Sequence, residues 1–126
     1  MKKVLLIASV LVAALMFASC ASVEIVKDEN LNGQKVTRQG QTIGHVNAQN
    51  WGLYFFTIPL ITGSTEEVGK ISFFKDTVNP EAMMNAMTTE CKKEGATAVY
   101  DVVSQAGKWG LLIYSRSINM SGNAVK

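Results

Sequence analysis

Along the chain an unbroken apolar stretch gives way to a polar one, and then to a body in which strand and helix periodicities succeed one another. Residues 4–19, VLLIASVLVAALMFAS, carry no charge and follow Lys2 and Lys3. At about 1.5 Å per residue this run is shorter than the roughly 20 residues that a helix needs to cross a bilayer core. The order basic, apolar, small therefore predicts a cleaved signal peptide over residues 1–19 rather than a retained span. Residues 20–33 read as an N-terminal tether, with one short strand where Val23 and Ile25 alternate with polar neighbours.

From residue 34 the pattern predicts a single domain ending at residue 126. Residues 34–50 suggest two short extended pieces around Gly40 and Gly44. Residues 51–64, WGLYFFTIPLITGS, form the most apolar stretch after the leader, and their aromatic and β-branched content favours a strand buried on both faces and ended by Pro59. Ten or so apolar residues are too few for a membrane-inserted hairpin. An exposed STEEVGK connection and a short ISFFKD strand follow.

The pattern then turns helical. Asn79 is placed to cap, Pro80 to take the first helical position and Glu81 to face the positive end, whereas Lys92, Lys93 and Gly95 mark the other end. A helix over residues 80–94 results, with Met83, Met84, Ala86, Met87 and Cys91 forming one apolar stripe. Residues 96–105 and 111–120 return to strand character around AGKWG and read as a hairpin, with residues 121–126 frayed. The expected fold class is α+β, a mostly antiparallel sheet packed on a single helix, preceded by a cleaved signal peptide.

Charge changes the picture in one respect. Twelve Lys and Arg stand against ten Asp and Glu, but two of the cations are Lys2 and Lys3, so removal of residues 1–19 leaves ten against ten. Without a basic run longer than Lys92-Lys93, nucleic acid is not an expected partner. The processed chain of about 107 residues suffices for one domain with its own core.

The leader ends in FASC, residues 17–20, which resembles the lipobox of bacterial lipoproteins: Ala18 and Ser19 supply the small residues before the cysteine, and Phe17 stands where Leu is usual. That resemblance implies a covalent diacylglycerol and an N-acyl chain on Cys20, and no other cofactor. Two or more acyl chains anchor a protein stably, whereas one does so marginally. Cys91 is then the sole remaining thiol, so no intrachain disulfide is available, and its place on the helix stripe makes it a buried apolar residue rather than a nucleophile. By analogy with lipoprotein sorting, Ala21 rather than Asp after the cysteine implies the outer membrane of a diderm bacterium.

In TTECKKEGATAVYDVVSQ a helix closes on Gly-Ala and runs into an apolar strand; together with NWGLYFFTIPLITGS this resembles small envelope lipoproteins of the TRL-like (tRNA-associated locus) group across residues 40–120. The join also looks like that of the Rcs stress-sensing outer-membrane lipoprotein, but the paired disulfides and proline-rich leader of that sensor are missing. Members of the TRL-like group largely lack an assigned activity, so the resemblance implies a fold and an address and not a reaction.

Chemistry-bearing residues are sparse. His45 is the only histidine, which leaves no metal set and no G-x-S-x-G triad, and it reads as a hydrogen-bonded strand histidine. Isolated glycines do not make a phosphate-binding loop. An enzyme would require His45 and Asp101 to meet in space, and none is expected; no catalytic or metal-binding residue is assigned. Asp101 is expected to pair structurally with Arg116, or to meet Tyr114, across the hairpin. Asn47, Asn50 and Trp51, with Trp109 at the hairpin tip, form a candidate recognition edge. The expected function is that of a non-enzymatic lipid-anchored module, held to the membrane and contacting another envelope protein or the cell wall. The alternative is a small-ligand or glycan-binding module with a pocket of Trp51, Tyr54 and Trp109.

Overall fold

The computed structural model describes residues 3, 4, 6, 7, 9, 21–27 and 40–126. Cys20, the leader's cleavage region and residues 28–39 lie outside the described residues. Among the described residues 21–27 and 40–126, six strands and a helix follow in the order β1 (Ser22–Lys27), β2 (Thr42–Phe55), β3 (Ile58–Gly63), β4 (Ile71–Phe73), α1 (Pro80–Lys93), β5 (Ala98–Gly110) and β6 (Ile113–Val125). All pairings are antiparallel, in the order β4-β3-β2-β6-β5. β1 joins the edge of β2 from Gly44 to Gln49, below the place where β3 takes over from Gly52 to Phe55. The architecture is thus α+β: a mostly antiparallel sheet packed against one helix.

Alternation in β2 explains the layering. Val46, Ala48, Asn50 and Tyr54 are buried under the helix, while Asn47, Gln49 and Phe55 on the other parity are exposed. β6 supplies Ile118, Met120 and Ala124 to the same side, and α1 meets them with Met83, Ala86, Met87 and Cys91. The helix starts where the sequence requires it: the Asn79 side chain accepts the Ala82 N–H at 2.8 Å, Pro80 opens the first turn, and Gly95 follows the end at φ +88°. Lys27 reaches Glu94 at 3.0 Å and ties β1 to the helix end.

Several expectations are corrected. Residues 42–55 form one strand, because Gly44 is not a break but a point of close approach: a Cβ there would lie 2.3 Å from the Val26 carbonyl oxygen. Residues 51–64 turn back on themselves at Phe56 and Thr57, so Pro59 lies inside β3, beside the bulge between Leu53 and Tyr54, where a missing N–H is tolerated. One face of this hairpin stays open, with Phe55 and Ile58 exposed. The β5–β6 turn falls at Leu111 and Leu112, and AGKWG belongs to β5. Residues 121–126 do not fray: β6 runs to Val125 between β2 and β5, and Lys126 exchanges hydrogen bonds with Gln41. Finally, β1 is part of the sheet and Ala21 is fully buried, so the folded body takes in residues expected to form a tether.

Candidate functional site

The face of the sheet away from the helix carries the polar parity of three long strands. Directly paired residues share a face, so the register sets out rows: Glu24, Asn47 and Ser121 in one, Ser22, Gln49, Asn119 and Gln105 in the next, then Trp51 with Ser117, then Ser115 with Trp109. The first two rows line an open trough of about 330 Å³, and a depression of about 470 Å³ adjoins it at Gln49 and Asn119, bounded by Trp51, Ser115 and Ser117. Asn47, Gln49, Gln105 and Asn119 present primary amides, the serines hydroxyls and Glu24 one carboxylate. This lining can exchange hydrogen bonds in both directions and offers an indole face, a combination suited to a neutral hydroxylated or amide-bearing ligand. Among the described residues no three His, Cys, Asp or Glu side chains converge to hold a metal.

The expected recognition edge is therefore divided. Asn47, Trp51 and Trp109 share the open face, with Trp109 83% exposed. Asn50 has the other parity and is buried, its amide NH₂ donating to the Gly63 and Thr77 carbonyls at 3.1 Å each. Tyr54 has that parity too, so the pocket of Trp51, Tyr54 and Trp109 does not assemble. Gln49, Gln105, Asn119 and the serines were missed, although the polar alternation of NAQN and of SRSINMS was a signal for them.

Asp101 and Arg116 lie toward opposite ends of the β5–β6 ladder and do not pair. The cause is the turn position: closure at residues 111 and 112 sets Arg116 opposite Lys108. Asp101 occupies the bulge between Tyr100 and Val103 at φ +54°, a conformation that Asp tolerates better than most residues. Its carboxylate accepts from Asn123 Nδ2 at 3.0 Å, while Asn123 Oδ1 lies 2.8 Å from His45 Nδ1, which must donate to it. His45 and Asp101 thus share a partner instead of touching.

Arg116 turns to Asp76, Nη1 to Oδ2 at 3.5 Å, and Asp76 also accepts the Tyr54 hydroxyl at 2.7 Å. Tyr54 stacks on Tyr114 with centroids 5.2 Å apart, and the Lys108 ammonium lies 4.0 Å above Tyr114. Burial first, then the hydrogen bond and charge of Asp76, hold the Tyr54 hydroxyl well above its ordinary pKa, so it stays protonated. This cluster fastens the segment before α1 to the sheet. On the helix, burial followed by the neighbouring Glu90 charge raises the Cys91 thiol, leaving it a packed and unreactive group.

Comparison of the chain with known protein families, with curated proteins and with solved structures gives no match.

Proposed function

We propose that this chain is a non-enzymatic lipoprotein of the cell envelope, acylated on Cys20 and held at the outer membrane of a diderm bacterium, in keeping with its resemblance to the TRL-like group. The body acts as an interaction module for another envelope protein or the wall. The observation that carries this reading is the FASC sequence closing an apolar run that begins after Lys2 and Lys3. It is supported by the fold of the next residue: Ala21 is buried and β1 begins at Ser22, so an ordered body starts directly after the cysteine. Two or three acyl chains there hold the protein durably. Growth of an expressing bacterium with an alkyne-bearing fatty acid is expected to label the protein, and Cys20→Ala to abolish the label. Equal labelling of both chains would refute the reading.

A second reading, glycan binding, is favoured by the trough itself, where four amide side chains and Trp51 lie on one open face. Its ligand class would be an amide-bearing sugar of the wall, whose hydroxyls and acetamido group match the lining. Wall fragments should then change Trp51 emission, and Gln49→Ala with Asn119→Ala should remove that response. If no fragment alters the emission, the trough is left to a protein partner.

A further inference from the structure

The end of the sheet where β2, β4 and β5 finish is its apolar end. Of the large apolar side chains exposed among the described residues 21–27 and 40–126, all but Tyr100 and Val103 gather there, including Phe56, Phe74, Trp109, Leu111 and Leu112. The backbone joins them into one surface: Phe56 N–H donates to the Leu112 carbonyl at 2.9 Å, and Phe74 N–H to that of Leu60 at 3.4 Å. A patch of this extent on a protein surface marks a contact.

We infer that this end docks into the interfacial layer of the bilayer to which the chain is anchored, an inference that rests on acylation of Cys20. Three features point to lipid as the occupant. First, there is no slack at the anchor. Ala21 is fully buried and its carbonyl accepts the Gly69 N–H at 3.0 Å. Adjacent α-carbons are about 3.8 Å apart, so acyl chains on Cys20 bring headgroups against the body itself.

Second, the chain enters from the correct side. β1 runs antiparallel to β2 and starts beside Gln49, so the backbone arrives from the direction in which β2 ends. Phe55 is six residues further along β2, or roughly 20 Å at the rise of an extended strand. One bilayer plane can therefore meet both the anchor and the apolar end.

Third, the apolar end has a cationic fringe. Lys108 and Arg116 are directly paired across β5 and β6, and like charges in that relation repel. Tyr114 and Asp76 offset part of the repulsion, and anionic headgroup phosphates would complement the rest. Projecting Trp, Phe and Leu side chains beside cations suit the water–hydrocarbon boundary, which needs no matching concavity. The anchor makes this second contact intramolecular, so even shallow insertion persists. The domain is thereby held in one orientation.

The test uses the full chain, expressed with its own leader in a diderm bacterium, recovered from membranes and reconstituted into phosphatidylethanolamine and phosphatidylglycerol vesicles. Trp51→Phe leaves Trp109 as the sole tryptophan. Lipids brominated along their acyl chains should quench Trp109 severalfold more than unbrominated lipids. Leu111 is 90% exposed and dispensable for packing, so Leu111→Asp should reduce the quenching sharply while the protein still floats with the vesicles. Flotation without quenching of Trp109 overturns the docking and leaves the anchor standing; a cross-linked dimer through the apolar end would overturn it in favour of a second copy. A chain that lacks acyl groups and does not float overturns both.

Discussion

Asn50 and Asn47 are three positions apart, and only one of them is available to a ligand. Asn50 is fixed by the Gly63 and Thr77 carbonyls inside the protein, and its Oδ1 has no hydrogen-bond partner among the described residues. Asn50→Ala removes donors from two buried carbonyls and is expected to lower stability by about 1–3 kcal/mol in urea unfolding. Tyr54 carries a pH dependence whose sign follows from its raised pKa. In the unfolded chain the phenol ionises around its ordinary value of 10.0, while the folded protein keeps it protonated. Its contribution is therefore fully present below pH 10 and is lost as the pH rises further toward the folded value. Unfolding midpoints measured from pH 8 to 11 should fall less steeply in Tyr54→Phe than in the parent chain; parallel curves would show that Tyr54 is not the group responsible. At this scale the parity of Val46 and Ala48 against Asn47 and Gln49 was written in the sequence, and carried through it would have put Asn50 and Tyr54 with the core instead of on the expected recognition edge and in the expected pocket. Asp76 was not legible, because its partners Tyr54 and Arg116 lie on strands that only the folded sheet brings together.

Among the elements, the helix was the most legible, because its cap, its first-turn proline, its stripe and its terminal glycine are all local in sequence. Asn79→Ala should cost about 1 kcal/mol, read from the urea midpoint. The strands were less legible where glycine serves packing rather than turning. A Cβ at Gly107 would meet Ser117 Oγ at 2.9 Å, and one at Gly122 would meet Val99 Cγ1 at 2.7 Å. Their neighbours thus resemble turn and tail sequence, although they lie in the two strands of the β5–β6 ladder. Gly110 is different: at φ +114° it does lead into the turn. Two consequences can be measured. Deleting residues 121–126 should abolish cooperative unfolding, since it removes part of a strand paired on both sides. Gly44→Ala, which drives a Cβ into the backbone of β1, should cost about 1–3 kcal/mol and raise hydrogen exchange selectively in the β1 amides; unchanged exchange there would contradict the close approach.

For the molecule as a whole, β1 bears on the proposed anchor at Cys20. A tether would let the domain swing freely above the membrane. With β1 beginning at Ser22 after a buried Ala21, a domain acylated at Cys20 would instead be seated. On the proposals made above, the apolar end would meet lipid and the amide trough would be left for a partner. Intact-mass and fragment spectra of the protein purified from native membranes test this account most directly. They should show an N-terminal peptide beginning at Cys20 and heavier by a diacylglycerol and a fatty acyl group. A Cys20 with a bare thiol, or a chain still beginning at Met1, would contradict it.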